Sequence, residues 1–458
     1  MHWIEILSRV QFAFTISFHI LFPAFSVGLS TFLMIFELLW LITKKDKYLS
    51  IVKFWTKIFA LTFGMGVVSG IVMEFQLGAN WAGFAQKVGP VLGSLFTYEV
   101  LTAFFIEAGA LGIMIFGWGK INKYIHFLAN FTIFIGVTLS AFWILSANSW
   151  MQTPDGVRFV NGQFEVYSWY HVIFNPSVIP RYIHMLLASY LSTAAVILGV
   201  SSYYILKNKF HSFAKTCIKF SAVSILILSI SQLLVGDEVG LKVYENQPLK
   251  TAAMEGIWYT QKGAPLVLFA YPSENKEKNL FSIEVPKLAS LINTHKLDGE
   301  MIGLKSVVEK DRPLVPAVFF SFRIMVGIGV LLILIGLLAT IFLFKDKIYT
   351  QKWFLKFCTI ISPLGFIAII TGWFTAEFGR QPWVVYGILR TQYSVSDISF
   401  WQVLGSLLSI VIVYFIIFGY FYCKYLFKII KNGPSITEQE RMPYSYFQSV
   451  EKHISDEE

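Results

Sequence analysis

The chain reads as an all-α, polytopic membrane helix bundle with about nine transmembrane helices. Three observations predict this class. Hydrophobic residues make up 55% of the 458 residues and charged residues only 14%. Mean hydropathy is +0.61, far above that of a soluble domain. Apolar runs near the ~20 residues that cross a bilayer recur along the whole chain.

Those runs fall at about 12–36, 54–78, 97–118, 127–147, 182–206, 216–235, 317–344, 357–377 and 400–423. Lysine placement orients them. Lys44, Lys45, Lys47, Lys53 and Lys57, then Lys120 and Lys123, Lys207 to Lys219, and Lys345 to Lys356 occupy every second connection. The positive-inside rule makes that side cytoplasmic. An odd number of spans then puts the N-terminus outside and the C-terminus inside. The formal charge of +9 is mostly topogenic. No RNP-like or zinc-finger pattern accompanies it, so nucleic acid is set aside. Cys217, Cys358 and Cys423 are isolated, and no CxxC or CxxCH occurs, so no disulfide, zinc knot or covalent haem is expected. The N-terminus lacks a basic start and a small-residue cleavage site, so the first span reads as retained.

The organisation expected is helices one to six in 1–235, an outer connection in 236–316, helices seven to nine in 317–425 and a cytoplasmic tail in 426–458. A connection this long is uncommon unless it is functional. The stretch Gln247-Pro248-Leu249-Lys250-Thr251-Ala252-Ala253-Met254-Glu255 reads, taken alone, as the start of a surface helix.

Several polar groups sit where apolar spans should exclude them. Gly372-Trp373-Phe374-Thr375-Ala376-Glu377-Phe378-Gly379-Arg380-Gln381-Pro382-Trp383 closes an uncharged run with a carboxylate and an arginine. Tryptophans at a membrane edge need no further explanation, but a carboxylate there is paired, buried in protein or working. His19, Glu74, Glu99, His184, Arg323 and Met325 fall at similar depth, within about 10 Å of the outer edge at 1.5 Å per residue. Glu99 is placed in the first turn of the third span. One intramembrane histidine has an ordinary reading as a satisfied bundle residue. Two histidines, a methionine and several glutamates at one level weigh against it. Histidine and methionine are axial ligands of haem iron, and a buried arginine beside the methionine suits an anionic partner. Glu107 follows Glu99 on one apolar helix, nearer the membrane middle; such a pair reads either as two satisfied acids or as a proton relay. Gly64-Met65-Gly66 and Gly109-Ala110-Leu111-Gly112 read first as close helix packing.

These residues resemble subunit I of the cytochrome bd-type quinol oxidases. The match includes Ser8-Arg9-Val10-Gln11-Phe12 with His19, Met73-Glu74-Phe75-Gln76, Gly78-Ala79-Asn80-Trp81, Glu99 and Glu107. It continues through Trp143-Ile144-Leu145, Asn148-Ser149-Trp150-Met151-Gln152, His184, Phe322-Arg323-Ile324-Met325 and the Glu377 motif. It covers residues from about 5 to 425, in the short-loop form that includes cyanide-insensitive oxidases. The resemblance implies three haems, either two b-type and one d-type or b-type throughout. His184 and Met325 would be the axial pair of a low-spin haem. His19 and Glu377 would each hold one of two high-spin haems; which carries the d-type haem is left open. Arg323, Arg380 and Trp373 would lie beside the haems. Glu99 would lie at the high-spin pair and Glu107 would feed it protons. Lys250 and Glu255 would serve quinol.

The resemblance further implies a terminal respiratory oxidase that oxidises quinol outside and reduces oxygen to water with cytoplasmic protons. Charge separation then needs no pump. Its partners would be a second membrane subunit (subunit II), with room for a small single-span subunit, in the lipid bilayer. The alternative from another class is a proton- or cation-coupled transporter, which would place its ligand groups near the midplane in repeated halves. A non-catalytic cytochrome b would explain a bis-ligated haem but not the Glu99–Glu107 pair.

Overall fold

The computed structural model describes residues 2–434. The polar tail beyond them, with Arg441, Lys452 and the closing acids Asp456-Glu457-Glu458, lies outside the described residues. Helix α1 (His2–His19) meets α2 (Leu21–Thr43) at a bend on Ile20. Pro23 has no amide hydrogen to give the carbonyl of His19, so the helix breaks just where that histidine sits. The pair forms the first of nine spans found among the described residues. Next come α3 (Asp46–Ala79), then α4 (Ala82–Glu99) and α5 (Phe105–Phe116) joined by a π-helical turn at Val100–Phe104. Helix α6 (Lys123–Gln152) is one unbroken span. A short α7 (Trp169–Ile173) leads into α8 (Val178–Leu206), and α9 (His211–Asn246) is the longest helix.

The connection that follows is folded. Helix α10 (Pro248–Glu255), an antiparallel hairpin of Leu266–Ser273 with Lys278–Val285, and α11 (Leu288–Thr294) share a small core. Ala253, Ile257, Trp258, Ala289 and Leu304 are buried there with Val318 of the next span. The remaining spans are α12 (Val315–Phe344), α13 (Lys352–Ile361) continuing as α14 (Leu364–Arg380), and α15 (Phe400–Ile412) continuing through a π turn to α16 (Tyr420–Asn432).

Three expectations need correction. The sixth span runs on to Asn246, so the connection starts later than residue 236; its polar start, Gly236-Asp237-Glu238, is helical. The third span begins at Ala82, so Glu99 lies mid-span, not in a first turn. Gly66 does face a neighbour, Phe22, at 3.4 Å from an added Cβ, but a Cβ added at Gly64, Gly109 or Gly112 would meet nothing within 4 Å. Close packing occurs at Gly28, Gly199, Gly336 and Gly365, where an added Cβ would collide with Thr193, Ser362, Leu226 and Ser192. Those contacts tie α8 to α2, α13 and α14, and α12 to α9, as small residues do in membrane bundles.

Candidate functional site

Helix α6 is the ruler for the site. Near its last turn, Asn148 Nδ2 donates to Glu377 Oε1 at 2.9 Å and Gln152 Nε2 donates to the same oxygen at 3.3 Å. Two turns deeper, the Ser140 hydroxyl donates to Glu99 Oε1 at 2.7 Å. One turn deeper again, Gly136 faces the side chain of Glu107. At 1.5 Å per residue these steps are about 12 Å and 6 Å. The acids therefore descend through the membrane and do not share one outer level. His19 also sits below the edge, beside Ser69, which lies ten residues before the end of α3.

The π turn explains how Glu99 and Glu107 both reach α6. In a straight α-helix eight residues leave two side chains about 80° apart, at roughly 100° per residue. The wider π turn between them takes up most of that offset, and such turns gather at functional sites.

Around Glu377 the charge balance is uneven. Its carboxylate pairs with Arg380. Arg181 donates to Asn148 Oδ1, and Lys250 Nζ donates to Gln152 Oε1 at 2.6 Å. Thus three cations surround one carboxylate. Lys250 and Arg380 are buried, and Arg380 Nε and Nη1 are buried with no partner. Burial, reinforced by Arg181, pushes the Lys250 ammonium well below its ordinary range, while Glu377 pulls it back. Unpaired cations in so dry a place call for further anions.

His19 is left available to bind iron. The Ser69 hydroxyl donates to Met65 O at 2.7 Å, so across the 2.9 Å contact it accepts from His19 Nδ1. That fixes the proton on Nδ1 and frees the Nε2 lone pair, the arrangement a metal-binding histidine needs. The Gln232 amide nitrogen faces the His184 ring, 3.1 Å from its Nε2 and 3.3 Å from its Nδ1, and would turn away from the nitrogen that binds iron. Facing glycines leave room beside three ligands: a Cβ at Gly70 would lie 3.1 Å from the His19 ring, at Gly236 3.3 Å from the His184 ring, and at Gly372 2.9 Å from Met325 Sδ. The Glu377 side chain stays 31% exposed, open on the side away from its donors. Free nitrogen, thioether and carboxylate donors beside unmatched positive charge fit haem and its propionates.

The structure separates some residues that the sequence groups. Arg323 Nη2 donates to Glu255 Oε2 at 3.0 Å and to Val267 O at 2.7 Å, so it clamps the connection onto α12. Lys250 and Glu255 are each only 2% exposed, so α10 is no surface helix. Gly379 gives Lys250 its passage; a Cβ there would lie 2.5 Å from Lys250 Cγ. Trp373 packs against Ile20 and Ile369, beside the bend after His19. Arg181, Ser69, Gln232 and Ser140 escaped the sequence reading. The amides of Asn148 and Gln152, one turn apart at the end of an apolar span, were a usable signal.

Nine spans among the described residues make this a multi-pass membrane protein. The sequence model described as cytochrome bd terminal oxidase subunit I matches residues 7–434, and the chain belongs to that family. It is 35% identical over 452 residues to cytochrome bd ubiquinol oxidase subunit 1 of Bacillus subtilis (strain 168), covering 96% of each chain. It is 33% identical over 505 residues to cytochrome bd-II ubiquinol oxidase subunit 1 of Escherichia coli (strain K12), covering 95% of this chain and 98% of that one. The solved structure of bd oxidase from Geobacillus thermodenitrificans matches with a TM-score of 0.87 at 28% identity, over 94% of this chain and 99% of that chain. Family membership makes this a haem-bearing, multi-pass subunit of a bacterial terminal oxidase, and it leaves the transporter alternative without support.

Proposed function

We propose that this chain is the catalytic subunit of a quinol:oxygen oxidoreductase that forms water and separates charge by sidedness. The observation that carries the reading is the cation cluster of Arg181, Lys250 and Arg380 around the single carboxylate of Glu377, with two Arg380 nitrogens unpartnered. Such a cluster is built for the acidic groups of a cofactor.

His184 and Met325 would hold one haem, and His19 and Glu377 one each; three in all, two b-type and one d-type or b-type throughout. When bound, the haems supply the one-electron steps between quinol and oxygen. The protein handles protons and positions. Glu255, fixed by Arg323 against the apolar wall of the connection, is the acceptor for a quinol hydroxyl proton. Lys250 holds α10 down through Gln152. Glu99, with one hydroxyl donor, and Glu107, whose buried Oε1 has no partner, are placed to pass protons upward along α6. The lysine-rich ends face the cytoplasm, and the folded connection between α9 and α12, which serves quinol, faces outside. A second membrane subunit completes the enzyme, and a small single-span subunit can join it.

The test is a reduced-minus-oxidised optical spectrum of the purified complex, with and without carbon monoxide. One low-spin and two high-spin components are expected, with carbon monoxide perturbing only the high-spin ones. A preparation that is folded and assembled yet shows no haem bands overturns the reading.

A further inference from the structure

A fourth carboxylate docks on α6, at the lysine-rich end, and the mechanism above does not use it. Glu37 of α2 is 0% exposed, His126 2% and Asn130 0%. Glu37 Oε1 lies 2.7 Å from His126 Nδ1, and Asn130 Nδ2 donates to Glu37 Oε2 at 2.7 Å. His126 Nε2 lies 3.1 Å from Met114 O. A carbonyl only accepts, so Nε2 carries a hydrogen. The 2.7 Å contact at Nδ1 then needs one further proton, on either partner, because two facing lone pairs would repel. The pair is thus built around one shared, movable proton.

The site lies one layer inside the surface. The Trp118 ring stacks on His126 with centroids 3.7 Å apart, and Lys53 Nζ sits 5.6 Å over Trp118. On the other side two buried oxygens lack partners: Asn130 Oδ1 and Glu107 Oε1. From Asn130 to Gly136, where Glu107 docks, is six residues of α6, a rise of about 9 Å with a swing of about 120° around the helix. Ala110 and Ile133 nearby are buried and carry no polar group. Transfer from Glu37 to Glu107 needs a chain of waters between them, anchored on the two free oxygens.

We propose that Glu37, His126 and Asn130 form a proton-loading site that feeds Glu107 from the lysine-rich side. A proton arriving from that side binds Glu37 Oε2 while His126 keeps its own. The Asn130 amide turns aside and its oxygen holds a water against Glu37 Oε2, in the place its nitrogen had occupied. The Glu37 O–H bond breaks as a proton moves along the waters and an O–H bond forms on Glu107. The pair returns to its single shared proton, and no electron moves. This rests on the reading of Glu107 as the proton feed of the oxygen site.

The test uses the assembled, haem-loaded enzyme. Glu37→Gln keeps shape and hydrogen bonding but cannot exchange a proton. Haem content and haem reduction by quinol should match the parent. Oxygen consumption per haem should fall about tenfold or more, in the range of a lost acid–base group, and its solvent deuterium isotope effect should rise. Glu37→Asp should recover part of the rate. Asn130→Leu leaves the Glu37–His126 pair in place and should reproduce both effects if Glu37→Gln does not assemble. Parent-like turnover and isotope effect in an assembled variant overturn the proposal, provided Glu107→Gln is slow. If Glu107→Gln also turns over like the parent, the reading of Glu107 has failed first.

Discussion

Gly136→Ala moves the Glu107 carboxylate without changing its chemistry. A Cβ on residue 136 would lie 2.6 Å from Glu107 Cγ and 3.3 Å from its Oε1. Carbon atoms rest about 3.5–4.0 Å apart, so the acid must shift by about 1 Å. Overpacking of this kind costs about 1–3 kcal/mol, and replacing glycine in a helix returns about 1 kcal/mol. The net loss, about 0–2 kcal/mol on those figures, leaves the bundle assembled. A proton donor displaced by about 1 Å can lose about a hundredfold in rate. The expected result is full haem content, normal haem reduction by quinol, and oxygen consumption per haem reduced by ten- to a hundredfold, on the order set by that misplacement. Gly112→Ala is the matched control, because a Cβ there meets nothing within 4 Å of this chain; it should be silent. Parent turnover in an assembled Gly136→Ala enzyme would refute the placement of Glu107 on the proton route.

Glu107→Gln should likewise keep its haems and slow oxygen consumption by about a hundredfold, with Glu107→Asp retaining more; single-turnover reduction by quinol separates the two steps. His184→Ala should remove the low-spin signal from the reduced-minus-oxidised spectrum while the carbon monoxide response persists. Met325→Leu conserves volume yet should shift the spectrum and midpoint potential of that same haem. Gly372→Ala, whose Cβ would sit 2.9 Å from Met325 Sδ, should shift them in the same way, and no shift in either would make Met325 packing alone. Glu255→Ala should impair turnover with quinol and spare turnover with an artificial electron donor; equal loss with both donors would assign it to assembly.

Hydropathy made the spans legible because a bilayer demands one long apolar run per crossing, and it also exposed the odd charges at their ends. It did not show depth. Helices α4 and α9 run past their apolar stretches on polar but helix-compatible residues, so Glu99 looked terminal when it is mid-span. The π turn at Val100–Phe104 has no distinct composition, yet it decides which way Glu107 points. The partners of Arg323 and Lys250 were out of reach because each lies on a separate element: Glu255 across the connection, and Gln152 at the far end of α6. Glu37 and His126 passed unnoticed because each reads, alone, as a single polar residue near a helix end.

The four carboxylates on α6 differ in how many donors hold them, and that difference orders their tasks. Glu377 takes Asn148, Gln152 and Arg380. With so many donors its oxygens are fixed in place, which suits a group that must stay where an iron would meet it. Glu99 has Ser140 alone. Glu107 Oε1 has none, and a buried carboxylate oxygen without a donor calls for a proton or a water of its own. Glu37 again has partners, but one is an imidazole that can exchange the proton between them. Holding is thus strongest at the Gln152 end of α6, exchange is possible at its Lys123 end, and the least tethered acid lies between. A structural clamp would put matched partners on every acid along the helix. A path needs at least one acid whose hydrogen bond is not yet made, and on α6 that acid is Glu107.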